Sequence, residues 1–117
     1  GASRHFLEGR VVYHPQSKQD LLGLEVETAS AVSSEIAFAL SKTFFQKTKA
    51  DFVLAETGMA GPPEAERKSQ KNGQCILALA MKETVKIKTL EFNPFHTKKE
   101  HQLLFAIDAL KWWIEQL

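Results

Sequence analysis

The sequence has few residues that could form disulfides or bind a metal, no long apolar segment and almost no net charge. One cysteine in 117 residues excludes an intramolecular disulfide, and the four scattered histidines form no zinc-type ligand spacing with it. No apolar run approaches the roughly 20 residues of a membrane span, and the N-terminus has no signal-peptide pattern. Fifteen basic and 14 acidic residues leave a net charge of +1. We therefore expect a cytoplasmic protein without a metal or cofactor, and no nucleic-acid or membrane partner.

What is present is the composition of an ordinary globular domain. A hydrophobic content of 44% and a charged content of 25% exclude global disorder. The length fits a single domain over residues 1–117, which can bury a core without disulfides. The single cysteine, Cys75, begins the apolar run Cys75–Ala80, so we expect a buried structural thiol.

Strand and helix patterns alternate along the chain. This alternation predicts an α/β class, a layered sandwich in which helices pack on a mixed β-sheet. Predicted strands cover residues 10–14, 51–57, 74–81 and 85–92, and predicted helices cover residues 16–22 and 34–48 and begin again after residue 97. Gly23 is placed to end the first helix, and Ser33 to cap the second. The polar stretch Glu64–Gly73 is predicted to be an exposed loop.

The last predicted helix opens with the capping-box pattern Thr97–Glu100 and carries a regular aliphatic stripe. The stripe consists of Leu103, Ile107, Leu110, Ile114 and Leu117. We predict that it faces the core, with a partner-binding face as the alternative. Trp112 and Trp113 point about 100° apart on a helix, so one can join the core while the other lies at its edge or in an oligomer interface.

A glycine-containing loop, Thr57-Gly58-Met59-Ala60-Gly61-Pro62, follows a predicted buried strand. Ligands of open α/β sheets bind outside the carboxyl ends of strands. Glycines at that position let backbone N–H groups approach a polar ligand closely. The loop is therefore a candidate binding site, and a simple turn is the alternative.

Further candidates are Tyr13 and Lys18, which lie five residues apart around the corner at Pro15. A lysine amine in a desolvated cleft can act as a general base, and a phenol beside it can orient a reactant. The alternative is a surface lysine and a half-buried tyrosine. Lys98 and Lys99 lie at a predicted helix N-terminus, where N–H groups favour a phosphate, although such lysines can also be simply solvated.

Taken in chain order, these segments resemble the C-terminal domain of the CinA (competence-damage-inducible) proteins. Residues 1–9 resemble the family's P-G-(A/S)-S-x-x-F-x-x-G, and residues 11–23 resemble V-x-Y-(S/T)-x-x-(A/S)-K-x-x-L-L-G. Residues 31–35 resemble A-V-S-x-E, although Ser30 stands where the family has glycine. Residues 50–62 contain A-D and then T-G-M-A-G-P, which resembles A-D…T-G-I-A-G-P. The resemblance covers almost the whole chain.

This resemblance implies hydrolysis of the carboxamide of nicotinamide mononucleotide to nicotinate mononucleotide and ammonia. It implies a catalytic role for Lys18 with Tyr13 beside it, and a small-molecule nucleotide as substrate. The implied substrate-binding residues are Thr57, Gly58, Ala60, Gly61, Pro62 and Lys98. Amide hydrolysis needs an activated hydroxyl or water, a base and N–H donors for the oxyanion, and these residue types can supply the last two.

Departures from the family pattern support a second hypothesis from another class. The family's nucleophile motif, E-S-x-T-G-G, lies before the matched segments, and the sequence begins after it, so we expect neither this motif nor its helix in the domain. Lys98 and Gln102 stand where the family has arginines, and the K-P-V-G-T-V segment after the loop is replaced. The alternative function is a catalytically silent domain that binds a nucleotide or a protein partner. A homo-oligomeric scaffold is a third interpretation.

Overall fold

The computed structural model describes residues 2–23, 32–63 and 72–117. They form three layers, with an antiparallel sheet in the middle and helices on both sides. After a 3-10 turn at Ala2–Arg4, the described elements are α1 (Pro15–Leu22), α2 (Ser34–Lys47), β1 (Val53–Gly58), β2 (Gln74–Ala80), β3 (Val85–Glu91) and α3 (Lys98–Gln116). The strand order is β1-β2-β3, and both pairs are antiparallel. None of the described helices combines the length and apolar character needed to cross a membrane.

The central strand β2 is buried along its whole length because helices cover both faces of the sheet. Cys75, Leu77 and Leu79 point to one face and pack against Phe105 and Trp112 of α3. The alternate residues of the strand, Ile76 and Ala78, point to the other face, where Ala37 of α2 covers them, and α1 packs on α2. The layers are therefore α1 and α2, then the sheet, then α3.

The helix ends follow the signals in the sequence. Gly23 ends α1 with a φ of 68°, a left-handed conformation that glycine adopts without strain. The Ser33 hydroxyl accepts a hydrogen bond from the Ile36 N–H at 3.2 Å. At the start of α3 the capping box is complete, and the backbone N–H of Thr97 lowers the pKa of the Glu100 carboxyl by donating to it. The predicted caps of all three helices are confirmed.

The predicted α/β class is confirmed, together with the hairpin of β2 and β3, but the strand expected at Arg10–His14 is wrong. Residues 10–13 have no regular structure, and the side chains of Val11 and Tyr13 are 93% and 84% exposed. The two described ladders are antiparallel, whereas we expected a mixed sheet. A β-branched run favours a strand only where a neighbouring strand pairs with it. Residues 64–71 of the expected polar loop lie outside the described residues.

The predicted core face of α3 is also wrong. Its five aliphatic side chains are between 40% and 73% exposed, whereas His101, Phe105, Ala109 and Trp112 are buried. The helix has two apolar sides, and the aromatic side lies against β2 because it fills more of the space above the small and aliphatic residues of that strand. Trp112 joins the core, as one of the two tryptophans was expected to do. Trp113 is half-buried in an edge contact with Phe52.

Truncation of a core phenylalanine tests this placement of α3. Phe105→Ala should lower the free energy of unfolding by about 3–5 kcal/mol, because removal of the ring leaves a cavity between α3 and β2. The matched control is Phe95→Ala, since that ring is 75% exposed. Urea unfolding measures both. Equal losses in the two variants would contradict the placement of the helix.

Candidate functional site

The glycine loop leaves the end of β1 and is tied to the strands beside it. The N–H of Met59 donates to the carbonyl of Gln74 at 2.9 Å, and the N–H of Gly73 donates back to the Met59 carbonyl at 2.8 Å. A Cβ on Gly58 would lie 2.8 Å from the Glu56 carboxylate and 2.9 Å from the ring of Phe105. Glycine is therefore required where the loop begins, because the sheet and α3 leave no space for a side chain.

The loop is held in place by His101, a fully buried residue of α3. Its Nδ1 accepts a hydrogen bond from the N–H of Gly61 at 2.7 Å, and its Nε2 lies 2.8 Å from the carbonyl oxygen of Asn93. A backbone N–H can only donate and a carbonyl can only accept, so the ring is the neutral tautomer with its proton on Nε2. One imidazole thus connects the loop, α3 and the segment that follows β3.

The surroundings of His101 fix the orientation of its ring. The ring stacks on Phe105 with centroids 5.6 Å apart and meets the edge of His96 at 5.7 Å. Gly73, with a φ of 79°, passes so close that a Cβ there would lie 3.0 Å from Nε2 of His101. The sequence interpretation missed His101. Its spacing of four residues from Phe105 was the available signal, because that spacing puts it on the aromatic side of the helix.

The structure brings Gly61 of the loop next to Lys98 at the start of α3. A Cβ on Gly61 would lie 3.6 Å from the Cβ of Lys98, and the φ of Gly61 is 106°. The side-chain amide of Asn72 donates to the carbonyls of Gly61 and Pro62 at 3.1 and 3.3 Å. A glycine loop, the first turn of a helix and a lysine therefore meet at one place. The free first-turn N–H groups and Lys98 favour an anion there, although the Glu100 carboxylate already accepts the N–H of Thr97.

Lys18 and Tyr13 lie in the layer on the other side of the sheet. Lys18 is half-buried on α1, which packs on α2, and the exposed Tyr13 precedes that helix. Thr57 is buried and paired with Ile76, so it faces the same side of the sheet as α2. None of the hydrogen bonds found between described side chains joins Lys18 or Tyr13 to the loop, so their catalytic role stays a prediction.

A pocket of about 350 Å³ adjoins α1, but neither Lys18 nor the glycine loop lines it. Its lining residues are Arg10, Val11, Val12, Ser17, Asp20, Leu21 and Lys47. The predicted site residues are therefore divided between the loop after β1 and the segment around α1.

The antiparallel sheet, the helices on both of its faces and the glycine loop after β1 define an α/β sandwich domain. The family model of the CinA C-terminal domain matches residues 1–117. The chain belongs to this family.

Curated relatives and solved structures agree with this assignment. A CinA-like protein of Geotalea daltonii is 37% identical over 121 residues, which cover all of this chain and 28% of the relative. A CinA-like protein of Chlorobium phaeobacteroides is 35% identical and covers 94% of this chain and 27% of the relative. The chain thus spans little more than a quarter of the length of these relatives.

Crystal structures of two related proteins have the same fold. The competence/damage inducible protein CihA of Agrobacterium tumefaciens superposes with a TM-score of 0.75 at 26% identity, over 88% of this chain and 64% of its own. A CinA superfamily protein of Escherichia coli gives a TM-score of 0.78 at 23% identity, over 91% of this chain and 62% of its own. The second likeness concerns the fold alone.

Replacement of His101 tests its hold on the loop. His101→Phe keeps an aromatic ring over Phe105 but leaves the Gly61 N–H and the Asn93 carbonyl without their partner. The buried Gly61 N–H left unpaired costs about 1–3 kcal/mol, so urea unfolding should show a loss of about that size. Amide exchange at Gly61 should also become faster.

The matched control is His5→Phe, because the side chain of His5 is exposed. This variant should leave stability nearly unchanged. An unchanged exchange rate at Gly61 in His101→Phe would contradict the role given to His101.

Proposed function

We propose that the domain acts as an amidohydrolase on nicotinamide mononucleotide and releases ammonia and nicotinate mononucleotide. The observation that carries this proposal is the meeting of Gly61 and Lys98 at the carboxyl end of β1, where His101 holds the loop against α3. Membership of the CinA family supports the proposal, and the reaction type is the one that the resemblance of the segments around Lys18 and Thr57 implies.

The phosphate of the substrate would bind beside Lys98. That residue is the first of α3, where backbone N–H groups and the helix dipole both favour an anion. The lysine adds a positive point charge, although it lacks the two-pronged geometry of an arginine. The opposite end of the nucleotide would then extend along the loop towards Thr57.

The carboxamide would react on the side of the sheet that Thr57 faces, which is also the side of α1. Lys18, in its neutral form, would take the proton from the attacking hydroxyl or water as general base. Backbone N–H groups of the loop would donate to the oxyanion, and Lys18 would return the proton to the leaving nitrogen as the C–N bond breaks, which releases ammonia. If a hydroxyl attacks, water then hydrolyses the acyl intermediate to nicotinate mononucleotide. Tyr13 is accessible before substrate binds, and its phenol would orient the carboxamide.

A second candidate function is supported by a separate observation. His101 holds the N–H of Gly61, and Gly61 lies beside Lys98 in the first turn of α3, so these residues can form an anion site without Lys18 or Tyr13. This arrangement favours a domain that binds a nucleotide without hydrolysing it. The two functions share the phosphate site beside Lys98 and differ only in the part played by Lys18.

Ammonia release from nicotinamide mononucleotide tests the proposal, measured on the protein together with any residues that precede Gly1. Lys18→Ala should lower kcat by about 10²–10⁴-fold, as expected for loss of a general base, and leave the melting temperature nearly unchanged. Lys82→Ala is the matched control, because Lys82 is exposed in the turn between β2 and β3.

Two results would contradict parts of this account. Equal turnover in wild type and Lys18→Ala would remove the role of Lys18. Absence of turnover in a folded wild type that still binds the nucleotide would replace the amidohydrolase with the binding domain.

A further inference from the structure

Side chains hold both polar backbone groups of Gly61 in the glycine loop. Its N–H donates to Nδ1 of His101 at 2.7 Å, and its carbonyl accepts a hydrogen bond from the side-chain amide of Asn72 at 3.1 Å. The same amide nitrogen of Asn72 donates to the carbonyl of Pro62 at 3.3 Å. The proposed reaction gives Asn72 no part, although it is the second side chain that fixes the loop.

The backbone beside Asn72 is itself fixed. Its neighbour Gly73 donates its N–H to the carbonyl of Met59 at 2.8 Å and has a φ of 79°. The side chain of Asn72 is half-buried at this point. An amide NH₂ has two hydrogens to donate, so one asparagine can serve the carbonyls of Gly61 and Pro62 together. A carboxylate at the same position has no hydrogen to donate and can make neither bond.

The two carbonyls that Asn72 holds lie close to the place where an anion is favoured. Gly61 adjoins Lys98, since a Cβ on the glycine would lie 3.6 Å from the Cβ of the lysine. A carbonyl oxygen carries a partial negative charge, which repels a nearby phosphate. When the oxygen accepts a hydrogen bond, the positive hydrogen of the donor offsets part of that charge. The amide of Asn72 therefore makes the loop less repulsive to an anion beside Lys98.

We propose that Asn72 is a positioning residue that gives the site its preference for a ligand with a phosphate group. It acts through the loop, because its amide holds Gly61 beside Lys98 and offsets the charge of two carbonyls there. His101 cannot take this part, since it holds the N–H of Gly61 and not its carbonyl. The proposal rests on the proposed function, in which phosphate binds beside Lys98.

Steady-state kinetics with two substrates test the part played by Asn72, on the protein together with any residues that precede Gly1. Nicotinamide mononucleotide carries the phosphate, and nicotinamide riboside is the same molecule without it. Asn72→Asp keeps the size of the side chain, removes its donors and adds a negative charge. The KM for the nucleotide should therefore rise about tenfold, whereas kcat should change by less than about twofold. The KM for the riboside should stay within about twofold of wild type.

Two further variants separate lost hydrogen bonds from added charge. Asn72→Ala removes the donors without adding charge, so the KM for the nucleotide should rise by less than in Asn72→Asp. Gln46→Glu is the matched control for the charge, because Gln46 is exposed on α2, on the other face of the sheet from α3, and both KM values should be unchanged. An unchanged KM for the nucleotide in Asn72→Asp, or an equal rise for both substrates, would overturn the proposal.

Binding measurements keep this proposal distinct from the proposed function. If folded wild type releases no ammonia, the amidohydrolase is contradicted, and isothermal titration calorimetry with the same two molecules then tests Asn72. The dissociation constant of the nucleotide should rise about tenfold in Asn72→Asp, and an unchanged value would overturn the proposal. If Asn72→Asp does not fold, Asn72→Ala takes its place, and nucleotide binding as tight as in wild type would overturn it.

Discussion

The buried imidazole of His101 is the contact on which the arrangement of the candidate site depends. Its Nδ1 accepts a hydrogen bond from the N–H of Gly61 at 2.7 Å, and its Nε2 lies 2.8 Å from the carbonyl oxygen of Asn93. Both partners are backbone groups of segments without regular structure, so no repeating ladder supplies these bonds. Together with the bonds of Met59 to Gln74 and of Asn72 to Gly61, this side chain holds the loop beside Lys98.

The helix that carries His101 has two different apolar sides. Its aromatic side packs against β2 and presents Lys98 and His101 to the loop. Its aliphatic side, with Leu103, Ile107, Leu110, Ile114 and Leu117, is exposed and points away from the sheet. A change in the packing of α3 would therefore alter the position of the loop, because the hydrogen bond between His101 and Gly61 joins the two.

Local signals in the sequence were sufficient for much of the fold. Ser33, Gly23 and the Thr97–Glu100 pattern act through hydrogen bonds and backbone angles within a few residues, and the structure confirms each of them. The apolar run Cys75–Ala80 also predicted a buried strand correctly. Interactions of this range depend little on the rest of the chain, so a single sequence reveals them.

What could not be predicted depends on distant partners. The run at Arg10–His14 has the residues of a strand, but strand formation requires a neighbour that local composition does not specify. Periodicity revealed the aliphatic side of α3 but could not decide which of the two apolar sides of the helix meets the sheet. His101 and Gly61 are 40 residues apart, so no spacing rule connects them. The loop was predicted, but the residue that holds it was not.

The protonation pattern of the His101 ring tests the central claim most directly. A long-range proton–nitrogen correlation spectrum of the ¹⁵N-labelled protein distinguishes a protonated from an unprotonated ring nitrogen. The account predicts a neutral ring near pH 7, with the proton on Nε2 and with Nδ1 accepting the Gly61 N–H. A proton on Nδ1 at that pH, in either the other neutral tautomer or the imidazolium, would contradict it.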